Sequence, residues 1–116
     1  MSKIDDRTRL LHILDAAQKA VNLVNYKTFQ DLEEDEVLAL ALVKLVEIVG
    51  EAASRVSPEY QMKCPQIPWS VIIAMRNRLV HAYFEINLKI LWQTIQEDLP
   101  VLIQQLNQLL SVSLIG

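Results

Sequence analysis

Cysteine is nearly missing from this chain: Cys64 stands alone. Neither an intrachain disulfide nor a cysteine-based zinc site can then be assembled within one molecule, and a reducing cytoplasm is the expected compartment. Glycine occurs only twice, which points to an ordered, helix-rich chain and away from disorder. A basic excess is also absent. The net charge is −3 and the sequence pI about 5.3, so a general nucleic-acid coat, which needs a basic footprint to displace counterions, is excluded. No apolar run can cross a bilayer, where roughly 20 apolar residues are required. The longest, at residues 37–49, is broken by Lys44 and Glu47. The N-terminal stretch MSKIDDRTRLLHILDAAQ is charged and lacks the apolar core of a signal peptide.

What is present is 116 residues, of which 52% are hydrophobic. That is one domain, residues 1–116, able to bury a core without disulfides or a structural metal. Asp5 or Asp6 suits the start of a first helix, along which Leu10, Leu11, Leu14, Ala17, Val21 and Val24 recur at helical spacing. His12 falls off that stripe and reads as a solvated surface histidine. The acidic run DLEEDE, residues 31–36, is expected to open a second helix, its acids meeting the positive end of the helix dipole. A metal site there is disfavoured because consecutive acids on a helix point in different directions. From 37 to 49 this helix is apolar on nearly every side, so it is either central or shared with another subunit. Gly50, Ala53 and Ser54 then form a smooth strip where another backbone can come close; Glu51, just off it, is either a surface acid, the slightly favoured reading, or an acid facing the polar cluster of the later helix.

Ser57-Pro58 ends that helix. A loop with one helical turn follows, and Pro68 and Trp69 begin a third helix. Asn87 caps a fourth, whose apolar set is Leu88, Leu91, Trp92, Ile95, Leu99, Leu102, Leu106 and Leu109. Pro100 inside this pattern should kink the helix or split it. No segment alternates with period two for long enough to make a strand. The expected fold is an all-α bundle of four to five helices.

One stretch does not fit a plain core helix. MRNRLVHAYFEIN, residues 75–87, sets down Arg76, Asn77, Arg78, His81 and Tyr83 among apolar residues. Around it the charge turns locally positive: over residues 59–90, Lys63, Arg76, Arg78 and Lys89 stand against Glu59 and Glu85. On a helix continued over 71–84, Asn77, Arg78 and His81 share one sector, while Arg76 and Tyr83 share another. Two readings are open. The polar groups could be a capped helix end, with Arg76 meeting an acid elsewhere. Alternatively, a guanidinium and an imidazole are the usual pair for holding and cleaving a phosphodiester.

The stretch RNRLVHAY fits the R-x4-H-x-Y pattern, and the chain resembles the HepT-like group of HEPN-domain proteins. IVGEAASRVS, IPWSVIIAMRN and WQTIQEDLP resemble other segments of that group, in the right order, across most of residues 45–101. The resemblance implies a dimeric HEPN-type bundle and a metal-independent ribonuclease, with no cofactor, acting as the toxin of a toxin–antitoxin pair on single-stranded RNA or tRNA. It makes Arg76 and His81 the catalytic pair, Asn77 and Arg78 supporting polar groups, and Tyr83 the residue that receives AMP. The implied partners are a second copy of the chain and an MntA-like minimal nucleotidyltransferase antitoxin. The competing function is a non-catalytic helical subunit that presents substrate to a nucleotidyltransferase. One geometric difficulty stands: Arg76 and His81 are about 140° apart around an ideal helix at 100° per residue. A bend, a wrapping arginine or a site completed across a dimer would resolve it.

Overall fold

The computed structural model describes residues 5–82 and 85–115, with side chains described at 5–79 and 85–111. Three long helical stretches dominate. Helix α1 (Asp6–Leu23) starts where Asp5 accepts the Thr8 N–H at 2.8 Å. That hydrogen bond to the charged form lowers the Asp5 pKa from its ordinary 3.8. Leu10, Ile13, Ala17 and Ala20 form its buried face, while Leu11, placed on the apolar stripe by spacing alone, lies 42% exposed. Helix α1 packs on α3 (Glu36–Ser54) and on the C-terminal α8 (Leu99–Ile115).

The acidic run serves two helix starts instead of one. Thr28 and Asp31 close a reciprocal capping box on the short α2 (Phe29–Glu34), and Asp35 caps α3 by accepting the Leu38 N–H at 3.0 Å. Leu38, Leu42, Val46 and Val49 of α3 are buried, yet Val37 and Leu40 are well exposed. The helix is therefore central on one side and uncovered on the other.

Residues 55–68 are pinned to the bundle. Both carboxylate oxygens of Asp6 accept from Ser57, one from its N–H at 2.8 Å and the other from its hydroxyl at 2.7 Å. Ser57 also caps α4 (Pro58–Lys63). The indole N–H of buried Trp69 is shared between the carbonyls of Gln61 and Cys64, at 3.1 and 3.0 Å.

The third helix is shorter than the sequence suggests. It runs as α5 (Trp69–Ile73) and α6 (Met75–Leu79) on either side of a turn at Ala74. After Leu79 the backbone becomes extended: β1 (Val80–Ala82) pairs antiparallel with β2 (Glu85–Ile86). The helix expected over 71–84 thus stops five residues early, and a strand forms where none was expected. The cause is partner choice. The Leu79 carbonyl accepts the Asn87 N–H at 2.7 Å, and Val80 lies across from Ile86; β-branched residues such as these two suit extended backbone.

Asn87 then caps α7 (Leu88–Gln93), accepting the Ile90 N–H at 3.0 Å. Between α7 and α8 lies one π turn, Thr94–Asp98, in which the Leu99 N–H reaches back five residues to the Thr94 carbonyl. Pro100 does not split the helix, which continues from α7 through the π turn into α8. A widened turn just ahead of a residue that cannot donate lets the helix run on. Phe29 of α2 meets Trp92 of α7 edge to face, with ring centroids 6.2 Å apart. Beyond the small β1–β2 pair the described fold is all-α. Among the described residues no helix is long and apolar enough to cross a membrane.

Candidate active site

Helix α6 is anchored by Met75 and Leu79, both buried and four residues apart. That pins one face and leaves Arg76, Asn77 and Arg78 exposed between them. Helices α5 and α6 pack against α3, and Gly50 is what lets them come close. A Cβ built on Gly50 would sit 3.3 Å from the carbonyl oxygens of Ile72 and Ile73. The small strip expected at Gly50, Ala53 and Ser54 is realised at the first two positions. Ser54 instead faces out, its hydroxyl donating to the Glu51 carbonyl at 2.7 Å.

This approach sets Arg76 beside α3. Its Nε lies 3.0 Å from a Glu47 carboxylate oxygen, while its side chain remains 55% exposed. A half-exposed pair contributes little stability, at most about 1 kcal/mol. Its effect is orientation: a guanidinium gripped at Nε has its plane fixed, and the outer edge formed by the two Nη groups is turned away from the grip. The arginine does meet an acid elsewhere in the fold, as the structural reading of the sequence expects, without being buried by it.

Arg76 and Asn77 line a cavity of about 510 Å³, within the range of small-molecule sites. Arg9 and His12 of α1 reach it, as do Lys44, Glu47 and Glu51 of α3. Arg78 does not share it. Its guanidinium turns toward Asp98 in the π turn, with Nη2 to Oδ2 at 3.8 Å. The sector that placed Arg78 with Asn77 is therefore divided. His12 is exposed as expected and also borders the cavity. Glu51 is a surface acid, bound by Arg55 at 2.8 Å.

His81 is in β1, beyond the end of α6, so the 140° conflict on a continuous helix does not arise. Its side chain, and Tyr83 entirely, lie outside the described residues. Sequence reasoning passed over Arg9, Lys44 and Glu47. The signal available was a shared helical face, since Lys44, Glu47 and Glu51 are three and four residues apart. Among the described residues no group of three or more His, Cys, Asp or Glu side chains could hold a metal.

An all-α bundle with an R-x4-H stretch leaving its motif helix beside a polar cavity defines a HEPN-type domain. Residues 13–109 match the family model described as ribonuclease HepT-like, and the chain belongs to that family. A provisionally named RNase of Caldanaerobacter subterraneus subsp. tengcongensis is 36% identical over 104 residues, covering 90% of this chain and 93% of that relative. A protein provisionally named ribonuclease HepT in Thermococcus cleftensis is 33% identical over 93 residues, covering 77% and 84%. No solved structure matches the chain.

Proposed function

We propose that this chain is a metal-independent endoribonuclease, the toxin of a cytoplasmic toxin–antitoxin pair. The observation that carries the reading is Arg76: a half-exposed guanidinium, oriented by Glu47 at the wall of a nucleotide-sized cavity, in a chain of the ribonuclease HepT-like family. RNA supplies its own nucleophile. The 2′-oxygen forms a bond to the adjacent phosphorus, and the bond from phosphorus to the 5′-oxygen breaks. His81 takes the 2′-OH proton or delivers one to the leaving 5′-oxygen, a task suited to imidazole near neutral pH. Arg76 stabilises the extra charge on the pentacoordinate phosphorus, and Asn77 contributes polar support in the same cavity. The products are a 2′,3′-cyclic phosphate end and a 5′-hydroxyl end.

The active form in this reading is a homodimer. Val37, Leu40 and Ile48 of α3 are 77%, 54% and 37% exposed, apolar side chains that share one helix face with Lys44 and that one copy leaves uncovered. Ile48 also borders the cavity, so a second copy seated there would place its own motif near the first. Light scattering at micromolar concentration should give twice the chain mass, with Leu40→Asp shifting it toward the monomer. A monomeric wild type would remove the dimer from this reading.

Regulation is assigned to Tyr83, with an MntA-like minimal nucleotidyltransferase antitoxin transferring AMP to its hydroxyl and releasing pyrophosphate from ATP. The added phosphate competes with RNA for the guanidinium of Arg76. Co-expression with the partner followed by intact-mass measurement should show additions of one AMP unit that disappear in Tyr83→Phe, while the variant keeps its nuclease activity. Additions mapped to Tyr26 or Tyr60 would contradict this assignment.

A further inference from the structure

The α1 side of the cavity has no role in the chemistry above, although its charge is arranged for one. Of the carboxylates lining the space, Glu47 is engaged by Arg76 at 3.0 Å and Glu51 by Arg55 at 2.8 Å. The cations Arg9 and Lys44 line the same space, and among the described residues no carboxylate pairs with either. Arg9 goes further: its Nε is shielded from solvent and has no hydrogen-bond partner among the described residues. A shielded guanidinium N–H left without an acceptor is unfavourable, so no acceptor among the described residues holds the Arg9 side chain in this position, and turning its guanidinium to an anion in the cavity it lines would satisfy that N–H. In a chain of net charge −3, an unneutralised pair of cations facing a cavity is a local exception.

We infer that Arg9 and Lys44 form a second phosphate subsite, which holds an RNA backbone phosphodiester next to the one that Arg76 addresses. The inference rests on the ribonuclease reading for its ligand class. A single guanidinium can hold one phosphate but cannot set the direction of the strand through the cavity. Two separated anion contacts do so, fixing which ribose presents its 2′-OH beside the scissile phosphorus. Arg9 and Lys44 are thus positioning residues, distinct from the catalytic pair. His12, exposed on the same side, presents a flat ring on which an adjacent base can stack.

The test is binding of a fluorescently labelled single-stranded oligoribonucleotide to the His81→Ala protein, read by anisotropy, so that cleavage is not required. Arg9→Gln and Lys44→Gln, each introduced into that background, should weaken binding on the order of tenfold, as loss of a charge-assisted hydrogen bond does. The double variant should flatten the dependence of log affinity on log salt by about 0.7, the share of one phosphate contact on a single strand. Arg9→Lys should recover part of the loss, and Lys27→Gln, remote from the cavity, should bind as the parent does. Circular dichroism checks that each variant is folded. In the cleaving protein, Lys44→Gln should raise KM more than it lowers kcat. If wild type cleaves RNA but the variants bind as tightly as their parent with an unchanged salt slope, the subsite is wrong and the nuclease reading stands. If the parent binds RNA and the variants lose it, yet wild type never cleaves, the subsite stands and the nuclease reading falls. A parent that binds no RNA overturns the subsite, and the nuclease reading falls with it when wild type also fails to cleave.

Discussion

His81→Ala is expected to retain the fold and lose RNA cleavage by about 10²–10⁴-fold, the usual worth of a positioned general acid or base. Arg76→Ala should lose about 10²–10³-fold, as removal of a single charge-stabilising donor does. Neither substitution should disturb the core. Arg76 is half exposed and its contact with Glu47 is a surface ion pair, while Met75 and Leu79 continue to hold α6. Arg76→Lys should rescue poorly, because an ammonium cannot be gripped at one nitrogen while presenting a planar pair of donors to a phosphate. Activity should survive EDTA, since the nucleophile belongs to the substrate. The measurement is cleavage of labelled single-stranded RNA with and without chelator. Loss of activity in EDTA, or wild-type rates from His81→Ala, would defeat this mechanism, whereas no cleavage at all by the wild type would favour the non-catalytic subunit that presents substrate to a nucleotidyltransferase.

Gly50→Val should destabilise the protein by about 1–3 kcal/mol, the usual cost of overpacking a core. At this size each kcal/mol corresponds to a fall in Tm of about 4–8 °C. Alanine at this position is a balance of opposing effects. It improves on glycine in a helix interior by about 1 kcal/mol, yet its Cβ meets two carbonyl oxygens at 3.3 Å. Those oxygens belong to the backbone of α5 and cannot rotate away like the end of a side chain. Valine adds two methyl groups where one carbon is already tight, and α5 must move off α3. Arg76 lies three residues beyond Ile73 and Glu47 three before Gly50, so the same movement stretches the ion pair that orients the guanidinium. Chemical denaturation and cleavage assays on one preparation should show both losses. A Gly50→Val protein as stable as wild type would mean that the close approach of α5 does not constrain the site.

Much of this was legible because it depends on local chemistry. Asp5 and Asn87 cap helices as their residue types suggest, and the apolar spacing from Leu91 to Leu106 marks a buried helix face. The charge of the acidic run suits a single helix dipole, which hides the second helix start. The finer signal was Thr28 three residues before Asp31, the spacing of a capping box. The end of α6 was less accessible. Val80 and Phe84 continue a helical apolar pattern in the sequence, and what ends the helix is pairing across the chain with Ile86 and Asn87. The π turn was hidden for a related reason: Pro100 announces a missing donor but not which neighbouring bonds will shift to accommodate it. The cavity could be read only in three dimensions, since Arg9, Lys44 and Arg76 come from α1, α3 and α6.

The end of α6 at Leu79 changes what the interval between Arg76 and His81 means. Along an unbroken helix the interval is an angle, and each inserted residue turns the imidazole by about 100° away from its place. Here the interval begins on a helix and finishes in a strand. Between Val80 and Ala82 the pairing slips: two steps along β1 match one step along β2, from Ile86 to Glu85, so His81 stands at an irregularity of the ladder. A bulge holds one residue more than its partner strand needs. The interval thereby becomes a length of chain that ends in slack, and a residue added within the extended part is taken up by the pairing and not by a rotation about a helix axis.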